Sequence, residues 1–278
     1  MNIWHHLLSR LPFEWAQFEF MRTALLAVFI VAPLFALMGT LVVHNRMSFF
    51  SEAIGHASLT GIGLGVLLGM ADPLWTLLGF SLVLGIGIIV LQRGTQASMD
   101  TVISLSMSAS IALGLVLLSY GGNFSKFGHY LIGDILSISS HEIGRLLLLT
   151  LLVGAGLLIG YNRILLIGLN ESLARSRGMR TWWAQMLFCA GVAMVVAMNL
   201  SWVGLLMINA MLIVLAAAAH NLARNARQYA ALAVAIALFS GVSGLLASYY
   251  ANTATGASMV LVMMACYLAT LAVRAARN

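Results

Sequence analysis

Charge is scarce in this chain. Of its 278 residues only 8% are Asp, Glu, Lys or Arg, against 62% hydrophobic residues. Mean hydropathy is +1.00. So few charges cannot cover a soluble domain, and the composition is that of a polytopic membrane protein. Lysine is scarcer still. Lys126 is the only one, and Ser125 precedes it. A P-loop needs Gly-Lys, so ATP hydrolysis by that route is excluded. The two cysteines, Cys189 and Cys266, lie far apart in apolar stretches and make no CxxC pair. That argues against a structural disulfide or a thiolate metal site. His141-Glu142 is no zincin motif, because Arg145 stands where the second His belongs.

Other functions fall for similar reasons. Gly241-Val-Ser-Gly244 resembles the serine motif of rhomboid proteases, but no His follows His220 to act as base. A net charge of +6 and a pI near 9.8 would suit nucleic acid. The arginines instead fall in short loops between apolar runs, where they orient a protein in its membrane. The first residues, MNIWHHLLSRLPFEW, lack the parts of a signal peptide, so insertion is expected to rely on the first span.

What the chain does contain is centred on Met47 to Met70, MSFFSEAIGHASLTGIGLGVLLGM. The run is apolar enough to cross a bilayer, yet it carries Glu52 and His56. Four residues apart, these sit one turn from each other on one helix face. Thr60 is expected to continue that stripe. Beside it Ala53, Ala57, Gly61, Gly65 and Gly69 recur every fourth position, letting another helix backbone come close in lipid. A charged group at membrane depth costs about 2.5–3.5 kcal/mol on insertion scales. A carboxylate and an imidazole one turn apart bind a divalent transition metal from one side. The bland alternative is a neutral or interfacial Glu52 and a His56 bonded to a backbone carbonyl.

At about 20 residues per span, the pattern predicts an all-α protein of about nine transmembrane helices in a single domain, 1–278. Residues 1–20, with Trp4, Trp15 and Phe18, read as an interfacial segment broken at Pro12; His5 and His6 read as solvated. Spans follow at 22–43, 47–70 and 73–90, the third started by Pro73 with Asp72 near its N-terminus. Asp100 is expected to N-cap a span over 101–120. The Gly-broken stretch 121–145 holds Lys126, His129, Asp134 and His141, read as a solvated loop; a metal-handling cluster of His129, Asp134 and His141 is the lesser alternative, since their spacing does not face them together on one helix. Within it, Asp134 lies in an apolar run suited to a short or re-entrant helix. After a span at 146–167, Glu171 to Arg177 predicts a short surface helix in a basic loop. Spans at 183–200 and 203–219 are separated by only Ser201 and Trp202, predicting a tight hairpin or a broken helix. Asn209 sits mid-span, either bonding a neighbouring helix or completing a metal shell. Spans at 229–249 and 258–273 close the chain. The loop arginines predict an N-terminus outside and a C-terminus in the cytoplasm. His56 then lies about 15 Å from Arg46 along the helix, near the midplane, where transporters hold substrate.

The stretch Asn45-Arg-Met-Ser-Phe-Phe-Ser-Glu-Ala-Ile-Gly-His-Ala-Ser-Leu resembles the signature of bacterial ABC-type zinc, manganese and iron uptake permeases. Further matches run in order: Phe20-Met-Arg-Thr-Ala-Leu-Leu-Ala, Asp100-Thr, Tyr130-Leu-Ile-Gly-Asp-Ile-Leu, Val203-Gly-Leu-Leu, Ala210-Met-Leu-Ile and Thr255-Gly-Ala. The resemblance implies a type II importer-like permease in the bacterial cytoplasmic membrane, a non-catalytic subunit. It implies a homodimer, separate ATPase subunits that bind the ATP, and an extracytoplasmic metal-binding protein. No cofactor is implied as a permanent resident; zinc or manganese is cargo. Glu52 and His56 fall on the family's metal-path acid and His. Glu171, Ala174 and Gly178 fall in a cytoplasmic coupling helix, 170–180, that contacts the ATPase. Three departures stand out: Glu52 for the usual Asp, Asn252 for a common Asp, and Leu215 for a usual Pro, which predicts a straighter helix there. A metal/proton antiporter and a permease for a metal chelate are the competing readings.

Overall fold

Among the described residues all regular structure is helical. The computed structural model describes residues 12–70, 73–120 and 133–277. His5, His6, Asp72, Lys126, His129 and the side chain of His141 lie outside that set. A 3-10 turn, Glu14–Gln17, leads into α1, Glu19–His44. Next come α2, Ser48–Leu67, α3, Leu74–Gly94, and α4, Met99–Tyr120. A 3-10 turn at Ile135–Ser137 precedes α5, Ser140–Leu169, and the short α6, Glu171–Ser176. The chain continues through α7, Thr181–Val203, α8, Leu205–Leu222, α9, Ala226–Ala251, and α10, Thr255–Arg277.

Eight of these helices are long and apolar enough to cross a membrane: α1, α3, α4, α5, α7, α8, α9 and α10. The ninth long helix is α2, which Glu52, His56 and its hydroxyls make less apolar. Val83, Leu105, Ile159, Leu187 and Phe239 turn outward at 65–78% exposure. An apolar outer surface of that kind is stable only against lipid.

The chain divides into two compact units. One comprises Leu41–Leu131 and Val153–Leu200. Its centre is α2, packed between α3 and α4. The small-residue stripe makes this possible. A Cβ on Gly61 would stand 2.6 Å from Leu77 Cα, and one on Gly65 3.0 Å from Pro73 Cβ. On the other side a Cβ on Gly114 of α4 would meet Thr60 Oγ1 at 2.8 Å. Lipid supplies no hydrophobic drive between helices, so such close approach and interhelical hydrogen bonds hold them together. Gly69 is the exception in the stripe. At φ +67° it ends the helix instead of packing it.

The other unit comprises residues up to Thr40, Ile132–Leu152 and Ser201–Asn278. Gly244 of α9 lies against Met259 of α10, where a Cβ would sit 2.5 Å from Met259 Cα. Phe18 stacks obliquely between Phe20 and Tyr249, with centroids 5.5 and 6.0 Å away, an aromatic group of the kind that marks a membrane interface.

Several local expectations are corrected. Ser98, not Asp100, caps α4: its Oγ accepts from Thr101 N at 3.2 Å and its carbonyl from Val102 N at 3.1 Å. Asp100 falls one residue inside the helix, where it faces the dipole. Ser98→Ala is therefore expected to cost about 1 kcal/mol and Asp100→Asn less, as read from thermal midpoints of the purified chain. The break between the sixth and seventh predicted spans lies at Gly204 (φ +76°), and α7 runs straight through Ser201 and Trp202. Gly204 lies against the backbone of Gly133 (φ +69°), where a Cβ on Gly133 would stand 2.6 Å from Gly204 Cα. Leu215 does not make the helix regular throughout. Ala210–Val214 just before it is a π-helical turn, and the Leu212 carbonyl there lies against Gly39 of α1. Asp134 N-caps the turn Ile135–Ser137, accepting from Leu136 N at 3.0 Å, so among the described residues it starts a 3-10 turn and not a longer helix. Asn252 ends α9 in the left-handed region (φ +51°) that Asn tolerates better than most residues.

Candidate metal edge and coupling helix

The turn into α2 is fixed from both sides. Arg46 takes a left-handed φ of +55°. His44 Nε2 donates to the Leu165 carbonyl of α5 at 3.2 Å. A Cβ on Gly168 would meet His44 Cδ2 at 2.7 Å and Asn45 Oδ1 at 2.8 Å. The α1–α2 turn is thus seated on the end of α5, one residue short of α6.

From that turn α2 presents two faces. Phe50, Ala53, Ile54 and Ala57 are fully buried. Phe50 and Ile54 lie against α3, with a Cβ on Gly85 standing 3.3 and 3.6 Å from them. Phe49, Glu52, His56 and Leu59 form the opposite, partly open face. The structure so brings Glu52 and His56 together, one turn apart. Among the described residues neither takes part in a hydrogen bond or ion pair. The polar stripe stops at His56. Thr60 is fully buried and its Oγ1 donates to the Ser110 carbonyl of α4 at 2.5 Å, so it serves packing. Four residues make 400° of helix, a 40° drift per step, which two steps turn into a different face. Asn209 is half-buried where α8 enters its π turn, in the other unit.

Among the described residues no three or more His, Cys, Asp or Glu side chains gather into one metal cluster. The Glu52–His56 edge offers one carboxylate and one imidazole. A tetrahedral zinc site needs about four ligands, and this edge by itself offers fewer.

The second predicted element, α6, forms as the sequence expects. Asn170 caps it, its Oδ1 accepting from Leu173 N at 3.0 Å. Ala174 is fully buried, seating the helix. Gly178, at φ +74° with open space around it, closes the segment. Glu171 accepts from Arg175 Nη2 at 2.6 Å and from Thr181 Oγ1 at 3.3 Å. The Arg175 hydrogen bond holds the Glu171 carboxyl below its ordinary range, against the opposing effect of partial burial. A lowered folded-state pKa means the contact contributes fully above the ordinary glutamate value and is lost as pH falls through the folded one. The α6 segment is therefore expected to loosen only at pH below the ordinary glutamate range, and Glu171→Gln to remove that acid step. Hydrogen exchange of residues 170–181 across pH checks it. Arg93, which the sequence marks only as a loop charge, lies 3.6 Å from Glu171. No sequence pattern pairs residues 78 positions apart; folding does.

Among the described residues, eight helices long and apolar enough to cross a bilayer, with apolar outer faces, define an integral membrane protein. The chain belongs to the ABC 3 transport family, whose model matches residues 17–274. It is 33% identical over 260 residues to an uncharacterized membrane protein of Synechocystis, covering 93% of this chain and 92% of that one. It is 27% identical over 246 residues to the high-affinity zinc uptake system membrane protein ZnuB of Haemophilus influenzae, with 88% and 94% covered. With the manganese transport system membrane protein MntC of Listeria innocua it shares 28% identity over 247 residues, 88% of each chain. Among solved structures, PsaBC from Streptococcus pneumoniae in complex with Fab superposes with a TM-score of 0.79 at 25% identity. That match covers 97% of this chain and 95% of the other.

Proposed function

We propose that the chain is the permease subunit of a bacterial ABC importer for a divalent transition metal, zinc first and manganese second. The observation that carries this is the Glu52–His56 pair: two metal-competent side chains one turn apart, on a membrane helix, without protein partners among the described residues. Relatives named for zinc uptake and for manganese transport support the metal. Both ions take carboxylate and imidazole, and the affinity order favours zinc.

Two copies form the working permease. A two-fold axis along the pathway would bring two such edges together and raise the donor count to four. An extracytoplasmic metal-binding protein delivers the ion to the outer mouth. Separate ATPase subunits, which bind the ATP, act on Glu171, Ala174 and Gly178 of the coupling segment and drive alternating access. The N-terminus lies outside and the C-terminus in the cytoplasm of a bacterial inner membrane, because Arg46, Arg93, Arg175, Arg177, Arg180, Arg224, Arg227, Arg274 and Arg277 then share the inner side.

The test is metal uptake into vesicles holding this chain with its ATPase subunits, for zinc and for manganese, with and without ATP. Uptake that needs ATP supports the proposal and the preferred ion names the cargo. Uptake that proceeds without the ATPase moves the assignment to a metal/proton antiporter.

A further inference from the structure

Arg93 is the last cationic side chain of α3, and it holds three things at once. Its Nη2 lies 3.6 Å from Glu171 Oε1 of α6. The same nitrogen donates to Gln185 Oε1 of α7 at 3.3 Å. Its guanidinium carbon stands 4.5 Å over the ring of Trp182. Glu171 in turn holds Arg175 and Thr181. A planar cation that lies over a ring while its edge donates to one oxygen and pairs with a carboxylate is a role Lys fills poorly.

The other end of this lever is the metal edge. Gly85, eight residues before Arg93, is where α3 lies against Phe50 and Ile54 of α2. Eight residues of helix is about 12 Å. Phe50 and Ile54 bracket Glu52 in sequence, and with Gly61 against Leu77 the two helices touch along most of their length. A packed seam of backbone on small residues moves as a body, because interiors at crystal density do not deform continuously.

We propose that Arg93 is the positioning residue that transmits movement of the coupling helix α6 to the metal edge, through α3. This rests on the permease reading above for its purpose, but its physical content is separate. Displacing α6 carries Glu171, hence Arg93, hence the α3 seam against Phe50 and Ile54, and so Glu52 and His56. Without Arg93 the ATPase still turns over while α2 no longer follows.

The experiment uses the full chain assembled with its ATPase subunits in vesicles, with Cys189→Ala and Cys266→Ala as background. A His56→Cys chain is labelled with a small methanethiosulfonate, with and without ATP. The expected result is a labelling rate that ATP changes about tenfold, the size of an ordinary coupling. Arg93→Ala should abolish the difference with ATP hydrolysis retained, and Arg93→Lys should restore only part of it. In chains that keep His56, Arg93→Ala should lower metal taken up per ATP by a similar factor. A nucleotide effect that survives Arg93→Ala overturns the proposal, and so does a parent chain whose labelling ignores ATP. Labelling does not depend on which ion is carried. A failure of metal uptake alone therefore strikes the permease assignment and leaves the Arg93 result readable.

Discussion

His56→Ala is expected to lower ATP-driven metal uptake by at least about a hundredfold, since even an outer-shell partner of a metal ligand costs 10–100-fold. Glu52→Gln, which keeps the shape and removes the charge, should fall nearly as far. Both side chains lie on the open face of α2, and neither forms a hydrogen bond or ion pair among the described residues. Their removal therefore leaves no orphaned group in the packing, and the variants should assemble and hydrolyse ATP. Glu52→Asp should keep transport and change the balance between zinc and manganese, because a shorter arm pulls the oxygens back about one carbon–carbon bond toward the helix. Uptake that is normal in His56→Ala would remove His56 from the pathway.

Much of this was visible in the sequence because membrane helices announce themselves by composition. Each long apolar run became a helix, and Glu52 with His56 needed only the helical period to be set on one face. The short helix Glu171–Ser176 was likewise local, written in Asn170 and good helix formers. What escaped was tertiary. Thr60 belongs to the polar stripe by spacing, but the slow rotation of the face turned it to the Ser110 carbonyl. Asp100 and Ser98 are both good caps, and only the position of the first turn chooses between them. Gly204 looked like any membrane glycine until Gly133 arrived against it from 71 residues away. The link from Arg93 to Glu171 had no sequence signature, since the two charges meet only after three helices have folded. Leu215 shows the limit in reverse: removing a proline from a pattern predicts regular helix, yet the turn just before it takes π geometry.

Gly61→Val is expected to do the greatest damage of any single surface-neutral change in α2. A Cβ there would stand 2.6 Å from Leu77 Cα and 3.0 Å from the Thr76 carbonyl oxygen. Both are backbone atoms, so no rotamer relieves the clash and α2 must move off α3. Overpacking of this kind costs about 1–3 kcal/mol, and for a chain of this size each kcal/mol is worth about 3 °C of midpoint. The loss should not stop at stability. Displacing α2 at Gly61 also lifts Phe50 and Ile54 from Gly85, and with them the two groups assigned to the ion, so uptake per folded molecule should fall as well. Gly79→Val is the matched control. It places the same side chain in the second turn of α3, at an exposed position with nothing within 4 Å of the new Cβ. Its effect should stay within about 0.5 kcal/mol, as for surface substitutions generally. Thermal midpoints of the purified variants, followed by uptake in vesicles, separate the two cases. Equal losses at Gly61 and Gly79 would mean that valine harms these helices through backbone propensity, and that the α2–α3 seam is not what holds the metal edge in place.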